Sequence, residues 1–340
     1  MTTEQRTETQ PVTTFQQILT NARQWEAEHE PFDRTSRMNL FQYVIEEGQG
    51  GALVPFQVPT NGQGHIPTIY LRDHAHGQLL SRLDYTKKLY ERLPAKLNIL
   101  ALNWLIQNHY EKDVLLRIQD GDQARALLSA QFEPFDNLEL LTILEPFCQD
   151  AAVRWYFSDE MTLHVSVTWP KTEEEVTVGD VVQRGLHISN SELGVRSVTV
   201  AGYVYRLKCR NGMVGGGEGG GMRRFRHVGD TDKLRDMVAA SIEETFLESQ
   251  KMLTQFKASL EKAVEDPYNY LERVAKDKTN DMTQEQFKAA MDAFMLEPAD
   301  NLYAVTNAIT RAAQGFEGEG RFDLERLGAK VLSEGLRSRN

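Results

Sequence analysis

Six cationic side chains fall within one short stretch of an otherwise acidic chain. The stretch, the cationic window, runs from Tyr203 to His227 and contains a single acid, Glu218. Six cations against one acid give it a charge of +5, whereas the whole chain of 340 residues carries −11. A local excess of cations on an acidic protein concentrates the electric field where an anionic partner would dock. The residue types therefore indicate binding of a polyanion.

Side-chain alternation predicts that part of the window forms a row of charges. Successive side chains of a strand point to opposite faces, so Arg206, Lys208 and Arg210 would share one face at intervals of roughly 7 Å. Successive phosphates of a single nucleic-acid strand have a comparable spacing, and cations that neutralise them gain affinity by releasing counterions. The spacing predicts a track for a single-stranded nucleic acid.

A glycine-rich segment, GGGEGGG at 215–221, follows a predicted tight turn at Asn211 and Gly212. Such a segment is typical of a flexible loop, and it would let the three arginines after it close over a bound strand. An aromatic ring within a basic cluster can stack on a base. The residues predicted to bind nucleic acid are Arg206, Lys208, Arg210, Arg223, Arg224, Arg226, Tyr205 and Phe225.

Plainer interpretations of the window stay open. Arginines and lysines on an exposed strand are often only a solvated face, and a glycine run is often only a linker. Gly215, Gly217 and Gly220 also satisfy the dinucleotide-binding pattern GxGxxG, but only formally, since the segment RRFRHVGD after them does not open a helix at once.

Candidate catalytic and metal-binding residues are fewer. His187, Ser189 and Glu192 would be the best residues of an enzyme, yet no GxSxG elbow accompanies them and a structural turn is the alternative. The two histidines of DHAHG at 73–77 could both reach a metal from an extended segment, but two ligands do not make a site. The sequence therefore predicts no catalytic residue, cofactor or metal.

Length and composition fit a folded protein of one or two domains. Hydrophobic residues make up 41% of the chain, which is enough for a core. The two cysteines, Cys148 and Cys209, lie far apart and encode no disulfide framework or thiolate zinc site. No apolar run is long enough to span a bilayer. These features predict a cytoplasmic protein without a membrane partner.

Periodicity predicts an α+β protein, in which a mixed β-sheet domain with packed helices is followed by a helical C-terminal domain. The predicted helices are 15–28, 78–93, 97–110 and several after residue 230, and the predicted strands are 114–118, 124–128, 153–157, 163–169 and 197–209. We expect three parts: a polar N-terminal segment with a short helix at 1–30, the sheet domain at 31–229, and an acidic helical domain at 230–340.

One long segment resembles a known family. Residues 179–214, GDVVQRGLHISNSELGVRSVTVAGYVYRLKCRNGMV, are similar to the signature of the phage/plasmid-like proteins, a bacterial and phage family filed as a domain of unknown function (number 932). Shorter segments follow in the order that the family shows: LLSRL at 79–83, LNWL at 102–105, RALLS at 125–129 and NAIT at 307–310. The resemblance covers about residues 70–315.

The resemblance implies a role in replication, recombination or defence evasion on a phage, plasmid or prophage, without an established activity. The pattern is also similar to single-strand-annealing ring proteins, which place a sheet and a helix around a basic groove. We therefore expect a non-enzymatic protein that binds single-stranded DNA or RNA and forms a homo-oligomer. The alternative is an oligomeric interaction or anti-defence protein that binds a host or phage protein through its acidic helical surface.

Overall fold

The β-branched and aromatic segments of the sequence form two separate sheets in the computed structural model, which describes residues 13–29, 31–46, 50–55, 68–215 and 221–338. The strands are β1 (Phe32–Arg37), β2 (Phe41–Glu46), β3 (Gly50–Pro55), β4 (Ile69–Leu71), β5 (Asp113–Gln119), β6 (Gln123–Ser129), β7 (Ala152–Ser158), β8 (Leu163–Thr168), β9 (Glu174–Thr177), β10 (Asp180–Asn190), β11 (Val198–Arg206), β12 (Asn211–Val214) and β13 (Met222–Phe225). The helices are α1 (Phe15–His29), α2 (Asp73–Arg82), α3 (Lys87–Arg92), α4 (Ala95–His109), α5 (Asn137–Leu144), α6 (Thr231–Ala258), α7 (Pro267–Lys276), α8 (Gln284–Phe294), α9 (Leu302–Ala312) and α10 (Gly318–Arg337). The predicted α+β class, with sheets before the C-terminal helices, is confirmed.

The first sheet has the strand order β1-β5-β6-β4-β3-β2. It is mixed, because β4 runs parallel to β6 while the other neighbours are antiparallel. Helices α2 and α4 cover one face and bury leucine and aromatic side chains against it. The helix predicted over 78–93 is divided in two, since the chain turns through Asp84 in the left-handed conformation, with φ 51°. This arrangement leaves the other side of α4 facing outward.

The second sheet has the order β12-β11-β10-β8-β7, with β13 also pairing β11 and β9 pairing β10. All of its pairings are antiparallel. Helices α1, α5 and α6 pack on one face, and Phe322 of α10 packs on the other with Trp155 and Tyr203. Every residue of β11 is therefore buried.

The C-terminal helices share a core with the second sheet. Val182, Val204 and Met213 of the sheet pack with residues of α6 to α10. α6 ends at Ala258, and Pro267 opens α7 at the first helical position, where its missing N–H costs nothing. A capping box formed by Thr283 and Gln286 begins α8. Over the described residues, no helix combines the length and the apolar composition that crossing a bilayer requires.

Candidate functional site

The predicted row of cations on one strand face is not formed. Strand β11 ends at Arg206, and residues 207–210 make a turn in which Arg210 adopts the left-handed conformation, with φ 55°. Asn211 and Gly212, expected to form the turn, instead begin β12. Because the chain reverses here, Arg206, Lys208 and Arg210 do not form a row along one strand.

Arg206 is buried in an ion-pair cluster that joins β11 to the C-terminal helices. Its Nε donates to Asp180 Oδ1 at 2.7 Å and its Nη1 to Glu297 Oε2 at 2.5 Å, while the Tyr303 hydroxyl donates to Asp180 Oδ2 at 2.5 Å. Partial burial alone would raise the pKa of Glu297, but hydrogen bonds from Arg206 and Lys208 lower it to about 2. This cluster, the Arg206 clamp, leaves Arg206 unavailable to a phosphate.

Two further cations of the window pair with carboxylates of the same chain. Lys208 lies 3.0 Å from Glu297 but keeps 58% of its side chain exposed. Arg223 donates to both carboxylate oxygens of Glu248, at 3.0 and 3.1 Å, and lies 2.9 Å from Glu244 on the same helix. Arg223 thus fastens β13 to α6.

The last three cations, Arg210, Arg224 and Arg226, are exposed and make no ion pair with any residue in the described ranges. They lie along one edge of the second sheet, because β12 and β13 pair with successive parts of β11. Arg224 lies opposite Thr199, seven residues before Arg206, so the two ends of this edge are about 23 Å apart. We call this surface the β12–β13 edge.

The two predicted stacking residues differ from expectation. Tyr205 is buried, with the Arg154 guanidinium 5.0 Å above its ring. Phe225 is partly buried and packs on the core beneath α6. Both ends of the glycine-rich segment bond to Gly202 of β11, through Gly215 N–H and Gly221 C=O, and residues 216–220 of the predicted hinge lie outside the described ranges.

The structure does not bring together the three residues considered for catalysis. His187 Nδ1 lies 2.9 Å from Ser166 Oγ, whereas Ser189 Oγ accepts from Arg196 Nη1 at 2.8 Å. Glu192 instead contacts Arg125 in a separate cleft. Ser189 also belongs to β10 and not to a turn.

The histidines of 73–77 likewise do not converge. They lie on α2, where His74 Nε2 is 3.2 Å from the Leu193 carbonyl oxygen and His76 Nε2 is 3.0 Å from the Tyr43 hydroxyl. Side chains at positions i and i+2 of a helix point to different sides of it. The extended geometry considered for a metal is therefore not present.

His187 and His164 belong to a buried polar chain between β8, β10 and α10. This series of hydrogen bonds continues from His164 Nε2 to Glu319 Oε1 at 3.2 Å, and Arg196 Nη2 donates to Glu319 Oε2 at 2.7 Å. Burial lowers the pKa of both imidazoles, that of His187 well below its usual range. Neutral histidines are therefore part of the folded core.

A cleft of about 570 Å³, which no sequence pattern predicted, lies between α1 and the facing ends of the two sheets. Arg125 of β6 and Glu192, after β10, form a buried ion pair there at 2.5 Å. Both residues come from segments that carry the family resemblance. The sequence signal that could have revealed this ion pair is Arg125 within an apolar strand, because a buried charge requires a partner.

Removing Arg206 should destabilise the protein strongly. We expect Arg206→Gln to lower the free energy of unfolding by ~3–5 kcal/mol, since it leaves the Asp180 carboxylate buried without its counter-charge. Lys208→Gln, which removes an exposed partner of the same cluster, should cost below ~1 kcal/mol. Denaturant unfolding compares the two variants, and equal losses would contradict the role of the clamp.

Stability should fall as pH decreases from about 7 to 5. The unfolded chain takes up protons near the ordinary histidine pKa, whereas buried His187 and His164 resist protonation, so this stability is present above that pKa and is lost below it. His187→Gln should reduce the slope by up to ~1.4 kcal/mol per pH unit. Exposed His109→Gln is the control, and an unchanged slope in His187→Gln would refute this assignment.

The comparisons with known proteins give one match. The family model described as "Domain of unknown function (DUF932)" matches residues 126–320, from within β6 to the first turn of α10. No curated protein and no solved structure matches the chain. The match includes the signature segment 179–214, which forms β10 and β11 in the interior of the second sheet and β12 at its edge. Because it spans more than half of the sequence, this chain belongs to the DUF932 family.

Proposed function

We propose that this protein binds single-stranded nucleic acid without catalysing a reaction, and that the strand lies along the β12–β13 edge. The observation that carries the proposal is that Arg210, Arg224 and Arg226 stay exposed and without an ion pair to the described residues, while the other cations of the window are paired. Unpaired arginines on an acidic protein retain their full charge for a polyanion.

The geometry of the edge fits a short single strand. Its length of about 23 Å corresponds to roughly four nucleotides at the spacing of about 7 Å used above, which is within the range of single-strand sites in other folds. The site differs from the one predicted from the sequence, because its cations flank the glycine-rich segment instead of forming one continuous row. Backbone phosphates would then be contacted at two ends of the edge.

The topology next to the edge supports an annealing-like role. β10, β11 and β13 are antiparallel, and α6 follows them in the sequence and packs across all three. A sheet crossed by a helix is the arrangement that the likeness to single-strand-annealing proteins implies. The family resemblance adds the context of recombination or replication on a phage, plasmid or prophage.

Replacing the three free arginines should weaken oligonucleotide binding. We expect Arg210→Gln, Arg224→Gln and Arg226→Gln together to reduce the slope of log affinity against log salt by about 2, because each phosphate contact on a single strand contributes about 0.7. Fluorescence anisotropy with a labelled single strand measures the slope.

The matched control removes three exposed lysines from the α7–α8 region: Lys276→Gln, Lys278→Gln and Lys288→Gln. Equal effects of the two triple variants would show that oligonucleotide binding depends only on the net charge of the protein and not on the β12–β13 edge. Absence of binding at low salt would sink the proposal. A basic host protein that co-purifies and is displaced by oligonucleotide would favour the anti-defence alternative instead.

The proposal includes assembly of several copies, because α4 is apolar on its outer face as well as on its buried one. Leu97, Leu100 and Trp104 are 49%, 67% and 58% exposed. A helix that is apolar all round is normally covered. The rim that precedes this face in the chain, α3 and the first turn of α4, is basic, with exposed Lys87, Lys88, Arg92 and Lys96 against Glu91.

A second copy of the chain offers a complementary face on α6. Met237 and Leu247 are 51% and 63% exposed there, beside exposed Asp236 and Glu243. Opposite charges around two apolar centres favour a head-to-tail contact, which generates a ring or a filament. The basic rim argues against pairing α4 with α4.

Charge reversal tests this contact. Lys88→Glu with Lys96→Glu, and separately Asp236→Lys with Glu243→Lys, should each reduce the assembly to monomers by light scattering, and mixing the two variants should restore it. Leu100→Glu should give monomers that keep the wild-type far-UV circular dichroism spectrum, because Leu100 is 67% exposed and outside the core. A monomeric wild type, or failure of the mixture to reassemble, would refute the head-to-tail contact.

A further inference from the structure

The cleft between α1 and the two sheets has the size of a small-molecule site. Its walls include Trp25 and Glu26 of α1, Gln119 and Arg125 from the first sheet, and Tyr156 of β7. The Arg125 guanidinium lies 4.9 Å above the Trp25 ring. The site is separate from the β12–β13 edge.

Acidic groups outnumber basic ones in this cleft. The carboxylates that line it are Glu26, Asp120, Asp136, Asp159, Glu160 and Glu192, and its arginines are Arg72 and Arg125. Both arginines are already paired, Arg72 with Asp120 at 3.4 Å and Glu160 at 2.9 Å, and Arg125 with Glu192 at 2.5 Å. A negative potential therefore remains.

Glu26 is the acid of the cleft best placed to receive a cation. It is half-buried and makes no ion pair with the described residues. Asp136, in contrast, is held by the Arg117 guanidinium through two hydrogen bonds of 2.6 and 3.0 Å. Burial, and then the nearby Asp136 charge, raise the pKa of Glu26. A bound cation would relieve both effects.

Two deeply buried side chains in the same cleft have atoms without a hydrogen-bond partner. Gln119 and Arg125 are 4% and 3% exposed, and no described residue bonds Gln119 Oε1 or Arg125 Nε. Gln119 Oε1 is an acceptor, and Arg125 Nε–H is a donor. Buried polar atoms of this kind are rare because each one costs about 1–3 kcal/mol. An amide group, which carries one N–H and one C=O, would satisfy both.

We propose that this cleft binds a basic amino-acid residue, either as a small amide or at the end of a peptide. Its cationic side chain would face Glu26, its amide N–H would donate to Gln119 Oε1, and its carbonyl oxygen would accept from Arg125 Nε. The carboxylates that attract a guanidinium or ammonium group also repel phosphate, so a nucleotide is excluded by the same charges.

Paired ligands and paired variants test the proposal. We expect L-argininamide to bind by calorimetry at least tenfold more tightly than L-citrullinamide, which has nearly the same shape without the charge. Glu26→Gln should weaken argininamide binding at least tenfold. Glu28→Gln, on the same helix but outside the cleft, should leave it unchanged.

Three outcomes would overturn the proposal: equal affinity for the two amides, equal effects of the Glu26 and Glu28 substitutions, or tighter binding of adenosine monophosphate than of argininamide. The Glu26→Gln variant should bind single-stranded oligonucleotide like wild type. If the cleft does not bind argininamide, the nucleic-acid proposal is unaffected. If the protein does not bind oligonucleotide, the cleft proposal is unaffected.

Discussion

Burial of β11 on both faces is the constraint on which the rest of the structure depends. α6 covers one face of this strand and α10 the other, so none of its nine residues is exposed. A charged side chain is tolerated in such a position only with a partner, because desolvation of an unpaired charge is too costly. The free cations are consequently found in the turn after β11, in β13 and directly after β13, and the candidate nucleic-acid site becomes an edge.

The same constraint explains the density of polar networks inside the protein. Arg206 with Asp180 fixes the end of β11 against α9, and the imidazoles of His164 and His187 connect the middle of the sheet to α10. Each network joins a strand of the second sheet to a helix much later in the sequence. Directional hydrogen bonds thus fix the placement of helices whose apolar contacts alone would allow them to slide.

Whether a segment forms a helix or a strand could be predicted from local sequence pattern. Which strands pair with each other could not. The strands at 114–118, 124–128, 153–157 and 163–169 agree with β5 to β8, since short apolar, β-branched or aromatic segments between turn residues mark strands locally. β10 was described only as a signature segment. Its residues 186–190, LHISN, alternate like those of β8, but Gln183, Arg184 and Gly185 before them interrupt the pattern. The division into two sheets depends on pairings between distant segments, which no local pattern encodes.

For the candidate sites, the sequence by itself determined that a cationic window exists in an acidic chain, that the chain carries the DUF932 signature, and that its class is α+β. Only the tertiary structure decided which of those cations are free. The carboxylates that neutralise Arg206 and Arg223 come from residues 180, 244, 248 and 297, and folding alone brings them within ion-pair distance. The cleft has the same origin, because Glu26, the β5–β6 hairpin that carries Gln119 and Arg125, and Glu192 are distant in sequence and become neighbours only in the folded protein.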